Sequence, residues 1–139
     1  MKKILSVTLL LALVISTLLC SCTPSYGDLW DTALYNEDTV LGEGAKTVTV
    51  TVRAQDREVV FTINTDRDIL GDALMDHDLV AGEESDFGLY IKSVNGIRAD
   101  FDKDHAFWSF NKNGEYMMTG VDATEFVSGD KFELVYTKG

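Results

Sequence analysis

Two histidines and a run of carboxylates are the residues of this 139-residue chain that could turn over a substrate or hold a metal. Neither His77 nor His105 belongs to a hydrolase, kinase or zinc-protease motif, and a lone imidazole without a positioned nucleophile or third partner does no acid–base work. His77 reads as a helix-end residue and His105 as a strand-edge residue beside Asp104. The run Asp100-Phe101-Asp102-Lys103-Asp104 alternates carboxylates as the start of a calcium loop does. An EF-hand loop needs glycine at its sixth place and a bidentate glutamate at its twelfth, and here those places hold His105 and Asn111. The run therefore reads as a solvated loop, with no metal, no cofactor and no catalytic residue assigned, and the chain is expected not to be an enzyme.

Binding chemistry is better represented. Phe87, Tyr90, Phe101, Phe107, Trp108, Phe110 and Tyr116 fall within thirty residues. Strand alternation puts Trp108 and Phe110 on one face and Phe107 and Ser109 on the other. If a helix covers one face of the sheet, the other set lies near solvent, where flat apolar surface marks a contact site, and Trp108 is expected on that open face. Met117 and Met118, with unbranched thioether side chains, can adapt to irregular apolar shapes.

The two cysteines belong to export rather than to redox chemistry. Met1-Lys2-Lys3 is followed by an apolar run from Ile4 to Leu19 and then by Cys20-Ser21-Cys22, the anatomy of a secretory leader. The run is shorter than the about 20 residues a membrane span needs. Leu19-Cys20-Ser21-Cys22 resembles the lipobox of bacterial lipoproteins, with an apolar residue three places before Cys22 and a small one just before it. Cys20 does not fit, because bulky Leu19 precedes it. The resemblance implies removal of residues 1–21, a lipid on Cys22, and a chain held to the extracytoplasmic face of the cell membrane. Acyl chains contribute about 0.8 kcal/mol per buried methylene, and two of them suffice for stable anchoring. No cysteine then remains for a disulfide, a zinc site or a thiol nucleophile. Loss of Lys2 and Lys3 takes the formal charge from −11 to −13, which argues against nucleic acid or anionic headgroups as partners.

These residues must be positioned by what lies between them. Residues 22–45 contain the only proline, Pro24, and read as a lipidated tether. Within it Leu29, Trp30, Ala33 and Leu34 recur at helical spacing, so a short turn either folds back onto the domain or stays an exposed linker. From Lys46 the period changes to two: Val48, Val50 and Val52 alternate with threonines, Gln55-Asp56-Arg57 turns the chain, and Val59, Phe61 and Ile63 alternate again, which predicts a hairpin. Asn64 to Asp68 offers capping residues before Ile69, Leu70, Ala73, Leu74 and His77, which predicts a helix of about three turns ending near Gly82. Asn95-Gly96 and Asn113-Gly114 are hairpin turns, and Phe132, Leu134 and Tyr136 form a closing strand. The simplest architecture is α+β, a β-grasp-like mixed sheet of about five strands packed on one helix, with one core and no interior cavity of drug-binding size.

The stretch from Phe87-Gly88-Leu89-Tyr90 to Asn95-Gly96-Ile97, then Phe107-Trp108-Ser109-Phe110, Asn113-Gly114, Gly120-Val121-Asp122 and Gly129-Asp130, resembles the transcobalamin-like C-terminal domain, DUF4430. The resemblance covers about Thr47 to Tyr136, within a domain taken as 46–139. It implies a β-grasp-like fold. In the vertebrate cobalamin carriers this domain closes over a corrin held by a second, helical barrel domain, which this chain lacks. Carried over, the contacts fall at Trp108, Ser109, Asn113, Tyr116, Met117 and Gly120. Two functions follow as expectations: capture of cobalamin or another small bulky nutrient for a membrane transporter or a second gripping protein, or an adhesion or protein–protein interaction module on the cell surface.

Overall fold

The computed structural model describes residues 27–139, so the expected leader and the lipid expected on Cys22 lie outside the described residues. The period-two segments form strands β2 (Lys46–Ala54) and β3 (Arg57–Thr65), antiparallel from Lys46 opposite Thr65 to Ala54 opposite Arg57. Only Gln55 and Asp56 turn the chain, with Gln55 at φ 54°. Strand β1 (Thr39–Leu41) lies parallel along β3. On the other side of β2, strand β9 (Lys131–Lys138) inserts parallel to it, followed by β7 (Ala106–Lys112) and the short β8 (Glu115–Tyr116). The six-stranded order is β1-β3-β2-β9-β7-β8. A second, three-stranded antiparallel sheet joins β4 (Val80–Ser85), β5 (Gly88–Val94) and β6 (Ile97–Arg98).

The fold is thus α+β and dominated by strands, but it has two sheets where one was expected. The helix, α1 (Leu70–Met75), is six residues long rather than three turns. It stops because Asp78 takes a left-handed conformation, φ 55°. The Asp78 N–H then donates to the Met75 carbonyl (3.1 Å) and the Leu79 N–H to that of Leu74 (3.0 Å), a Schellman closure that satisfies the orphan carbonyls and sends the chain into β4. Gly82, expected at the helix end, lies in β4 beside a bulge at Ala81/Gly82, where a Cβ would stand 1.9 Å from the Tyr90 carbonyl oxygen.

One face of the large sheet is core: Val48, Val50, Val52, Val59, Phe61, Ile63, Phe132 and Leu134 are buried in one cluster with Leu70 and Leu74 of α1 and with Val94 and Ile97 of the small sheet. The opposite face carries Thr47, Thr49, Thr51, Thr62, Val135 and Thr137, all partly exposed. The segment read as a tether is folded well before residue 45. Trp30, in a 3₁₀ turn over Leu29–Thr32, is fully buried, donates its indole N–H to the Ala54 carbonyl (3.0 Å) and lies under the Arg57 guanidinium. Asn95 fastens the following residues: its side chain accepts from the Tyr35 N–H and donates to the Tyr35 carbonyl, and its own carbonyl accepts from Leu34 N–H.

Candidate functional site

Side-chain parity in β7 is as expected, with Trp108 and Phe110 sharing a face, but that face is the inner one. Trp108 is 7% exposed, its indole N–H donates to the Ile97 carbonyl at 3.2 Å, and Tyr136 meets it edge-on with centroids 5.6 Å apart. Phe110 stacks on Phe132 at 5.5 Å. The expectation that Trp108 lies on an open sheet face is therefore corrected, and it is Phe107, of the other parity, that is partly exposed. The small sheet, which the period-two patterns did not reveal, covers the face where Trp108 points.

The cover is incomplete, and the gap is the candidate site. Positive φ at Asn113 and Gly114 (52° and 82°) turns β7 tightly into β8, and the Met117 N–H donates to the Phe110 carbonyl (2.9 Å), which lays residues 117–121 along the inner face. Facing them across the gap is β5. A hollow of about 220 Å³ results, with Trp108 and Phe110 among its lining, Leu89, Tyr90 and Ile91 contributed by β5, and Tyr116, Met117, Met118 and Gly120 by the other wall. Two of these are largely open to solvent: Tyr116 is 66% and Met118 91% exposed.

Of the six residues predicted for ligand contact, Trp108, Tyr116, Met117 and Gly120 are brought together here. Ser109 is not. It lies across the sheet, where its hydroxyl donates to the Val135 carbonyl and accepts from Thr137. Asn113 stands exposed in the turn. Met118, noted for its adaptable side chain, also lines the hollow, whereas Leu89, Ile91 and Val121 were missed, because nothing in their spacing says that β5 folds over β7. Tyr90, Phe107 and Phe110 were signalled as members of the aromatic cluster.

Asp122 ties the two walls together. Its Oδ2 accepts the Leu89 N–H at 3.1 Å, and its Oδ1 is buried without a hydrogen-bond partner. Glycines make room for it: a Cβ at Gly88 would stand 2.8 Å from Oδ2, and one at Gly120 would stand 2.8 Å from Oδ1. A larger depression, about 460 Å³, opens beside Gly27 where the described chain begins, lined by the mixed polar set Gln55, Asp104, Tyr136 and Lys138. Burial, with a smaller push from the Asp104 carboxylate, raises the Tyr136 phenol above its ordinary value.

Residues 68–138 match the domain of unknown function DUF4430, which is half of the chain. The chain belongs to the DUF4430 family. Among solved structures it is similar to a candidate metal-binding protein from Ruminococcus gnavus ATCC 29149, at 40% identity and TM-score 0.65, covering 68% of this chain and 99% of that one. It is also similar in fold to haptocorrin in complex with Cbi, at 21% identity and TM-score 0.51, over 67% of this chain. The match spans only 25% of the haptocorrin chain. No curated protein matches.

Metal-binding side chains are not clustered in this DUF4430 chain: among the described residues no three of His, Cys, Asp and Glu are grouped to hold an ion. The acidic run is a single helical turn, α2 (Phe101–Asp104), rather than a loop. Asp100 caps it, accepting from the Asp102 and Lys103 N–H groups, and His105 ends it in a left-handed conformation. His77 is partly buried, close enough to Gly42 that a Cβ there would lie 2.8 Å from Nε2.

Proposed function

We propose that this chain is a lipoprotein, anchored through Cys22 on the extracytoplasmic face of the cell membrane, whose DUF4430 domain captures a small bulky ligand without catalysing a reaction. The observation that carries the reading is the hollow between β5 and β7–β8, where aromatic and methionine side chains converge and Tyr116 and Met118 stand exposed at the rim. Its volume of about 220 Å³ is below the roughly 300–1,000 Å³ of sites that enclose drug-sized molecules. It can grip one edge or face of a bulky molecule, and the rest needs a second protein or a transporter.

Cobalamin or a related nutrient is the first ligand to test, given the transcobalamin-like resemblance and the Cbi held by haptocorrin. The β-grasp relationship belongs to the same reading, and the parallel insertion of β9 beside β2 supports it. The test is titration of residues 27–139 with cobinamide and cyanocobalamin, followed by calorimetry. Tyr116→Ala and Met118→Ala are expected to weaken binding by about 1–3 kcal/mol, the range for losing a binding anchor, with no change in unfolding midpoint. Heat of binding that is the same for wild type and both variants would remove the hollow from the reading.

A second reading, an adhesion or protein-interaction module, is favoured by Phe87. It sits at the tip of the β4–β5 hairpin, 97% exposed, in a turn stiffened by Ser85, which accepts from the Phe87 N–H and donates to the Gly88 carbonyl. That reading predicts that Phe87→Ala abolishes adhesion of cells displaying the chain, while the two rim variants above leave adhesion unchanged.

A further inference from the structure

The hollow has an electrostatic character that its apolar lining conceals. None of its lining side chains is charged. Three carboxylates lie close to it in the chain, Glu115 directly before Tyr116, Asp86 at the hairpin tip and Asp122 after Val121 in the wall, and so do two cations, Lys92 after Ile91 and Lys112 opposite Glu115. Among the described residues none of these three takes part in an ion pair. Cations that could have neutralised them are engaged elsewhere, Lys92 with Glu83 at 2.9 Å and Lys112 with Asp130 at 3.3 Å.

Asp122 matters most, because it sits behind the wall rather than in open water. It has one hydrogen-bonded oxygen and one buried oxygen with no partner, packed against Gly120 of the lining and beside Leu89 of the lining. A carboxylate held in a poorly hydrated place acts more strongly on its surroundings than one in bulk water. Tyr90, Tyr116 and Trp108 of the lining add to the same sign wherever a ring face meets the ligand, since an aromatic ring presents negative charge over its face and attracts cations there. Carboxylate and rings both favour positive charge and repel negative charge.

We propose that the hollow selects an apolar organic cation, a ring-bearing or alkylated ammonium or a flat molecule of similar charge, with Asp122 as its fixed counter-charge. This rests on the reading of the hollow as a ligand site and specifies the chemical class it takes. Asp122 is a positioning and specificity residue here: it holds the β5 wall through Leu89 and sets the sign of the field, while the aromatic side chains make the contact.

Three probes sharing one naphthyl ring test it: naphthyl-trimethylammonium, methoxynaphthalene and naphthalenesulfonate, titrated into the protein. The Met117 and Met118 methyl resonances report occupancy of the hollow. The cation is expected to bind at least about tenfold more tightly than the anion at low salt, with the ratio falling as salt is raised. Asp122→Asn, which keeps an oxygen to accept the Leu89 N–H, is expected to cut the cation-to-anion ratio at least about threefold. Should that variant not fold, Glu115→Gln at the exposed rim must reduce the ratio in the same direction. Equal affinity for cation and anion, or a ratio untouched by both variants, overturns the charge selectivity while leaving the hollow a ligand site. If none of the three probes moves the methionine methyls, the ligand-site reading falls and the selectivity with it.

Discussion

Trp108 and Tyr116 line one hollow, yet their truncations should behave oppositely. Trp108 is buried and hydrogen-bonded across the two sheets. Trp108→Ala is expected to cost about 3–5 kcal/mol of stability, the range for deleting a buried large aromatic, and urea unfolding measures it. Tyr116→Ala, at an exposed rim, should change stability by no more than about 0.5 kcal/mol. Sequence alternation placed Trp108 opposite Ser109 correctly and could not say which of the two faced inward, since both faces of β7 offer large aromatics. Asn95 was legible only as a turn residue. Its burial and its paired hydrogen bonds to Tyr35 depend on a segment sixty positions away, so Asn95→Ala is expected to cost about 1–3 kcal/mol by leaving the Tyr35 groups unpartnered.

Elements were legible where pattern and partner coincide. The β2–β3 hairpin follows from alternation alone, because both strands bury the same parity against one core. The small sheet was not legible as a sheet, since β4 past Val80 has every residue exposed and so shows no period. The early end of α1 was hidden as well, because aspartate in a left-handed conformation leaves no signal as clear as glycine. Asp78→Gly should therefore raise stability by about 1 kcal/mol, the scale of the left-handed penalty for a residue with a Cβ, read as a higher midpoint in thermal unfolding. The end of α1 also gives a pH dependence. Arg67 donates two hydrogen bonds of 2.9 Å to Asp76, which lowers that carboxyl's pKa. A carboxyl depressed in the folded state adds stability above its unfolded pKa, about 3.9, and that contribution is lost as pH falls through the lower folded value. Arg67→Gln should flatten the acid limb of the stability curve below about pH 4 and leave its shape near neutrality unchanged.

At the scale of the whole molecule, the family and the predominance of strands were legible from glycine and aromatic spacing. The hollow was not, because it exists only where one sheet is laid incompletely over another. Stability is expected to be independent of metal, so a chelator should leave the unfolding midpoint unmoved. Membrane fractionation should show Cys22→Ala released and Cys20→Ala retained, the outcome that places the lipid on Cys22. The position of β9 has a consequence of its own. It lies between β2 and β7, and its parallel pairing joins Thr49 to Lys131, more than eighty positions apart. Until residue 131 leaves the ribosome, β1-β3-β2 and β7-β8 are two ribbons with raw edges facing an empty slot. Closing so long a loop is slow, so the chain stays threadable until β9 has been made. A nonsense codon just after Gly129 would yield an aggregating fragment rather than a smaller domain.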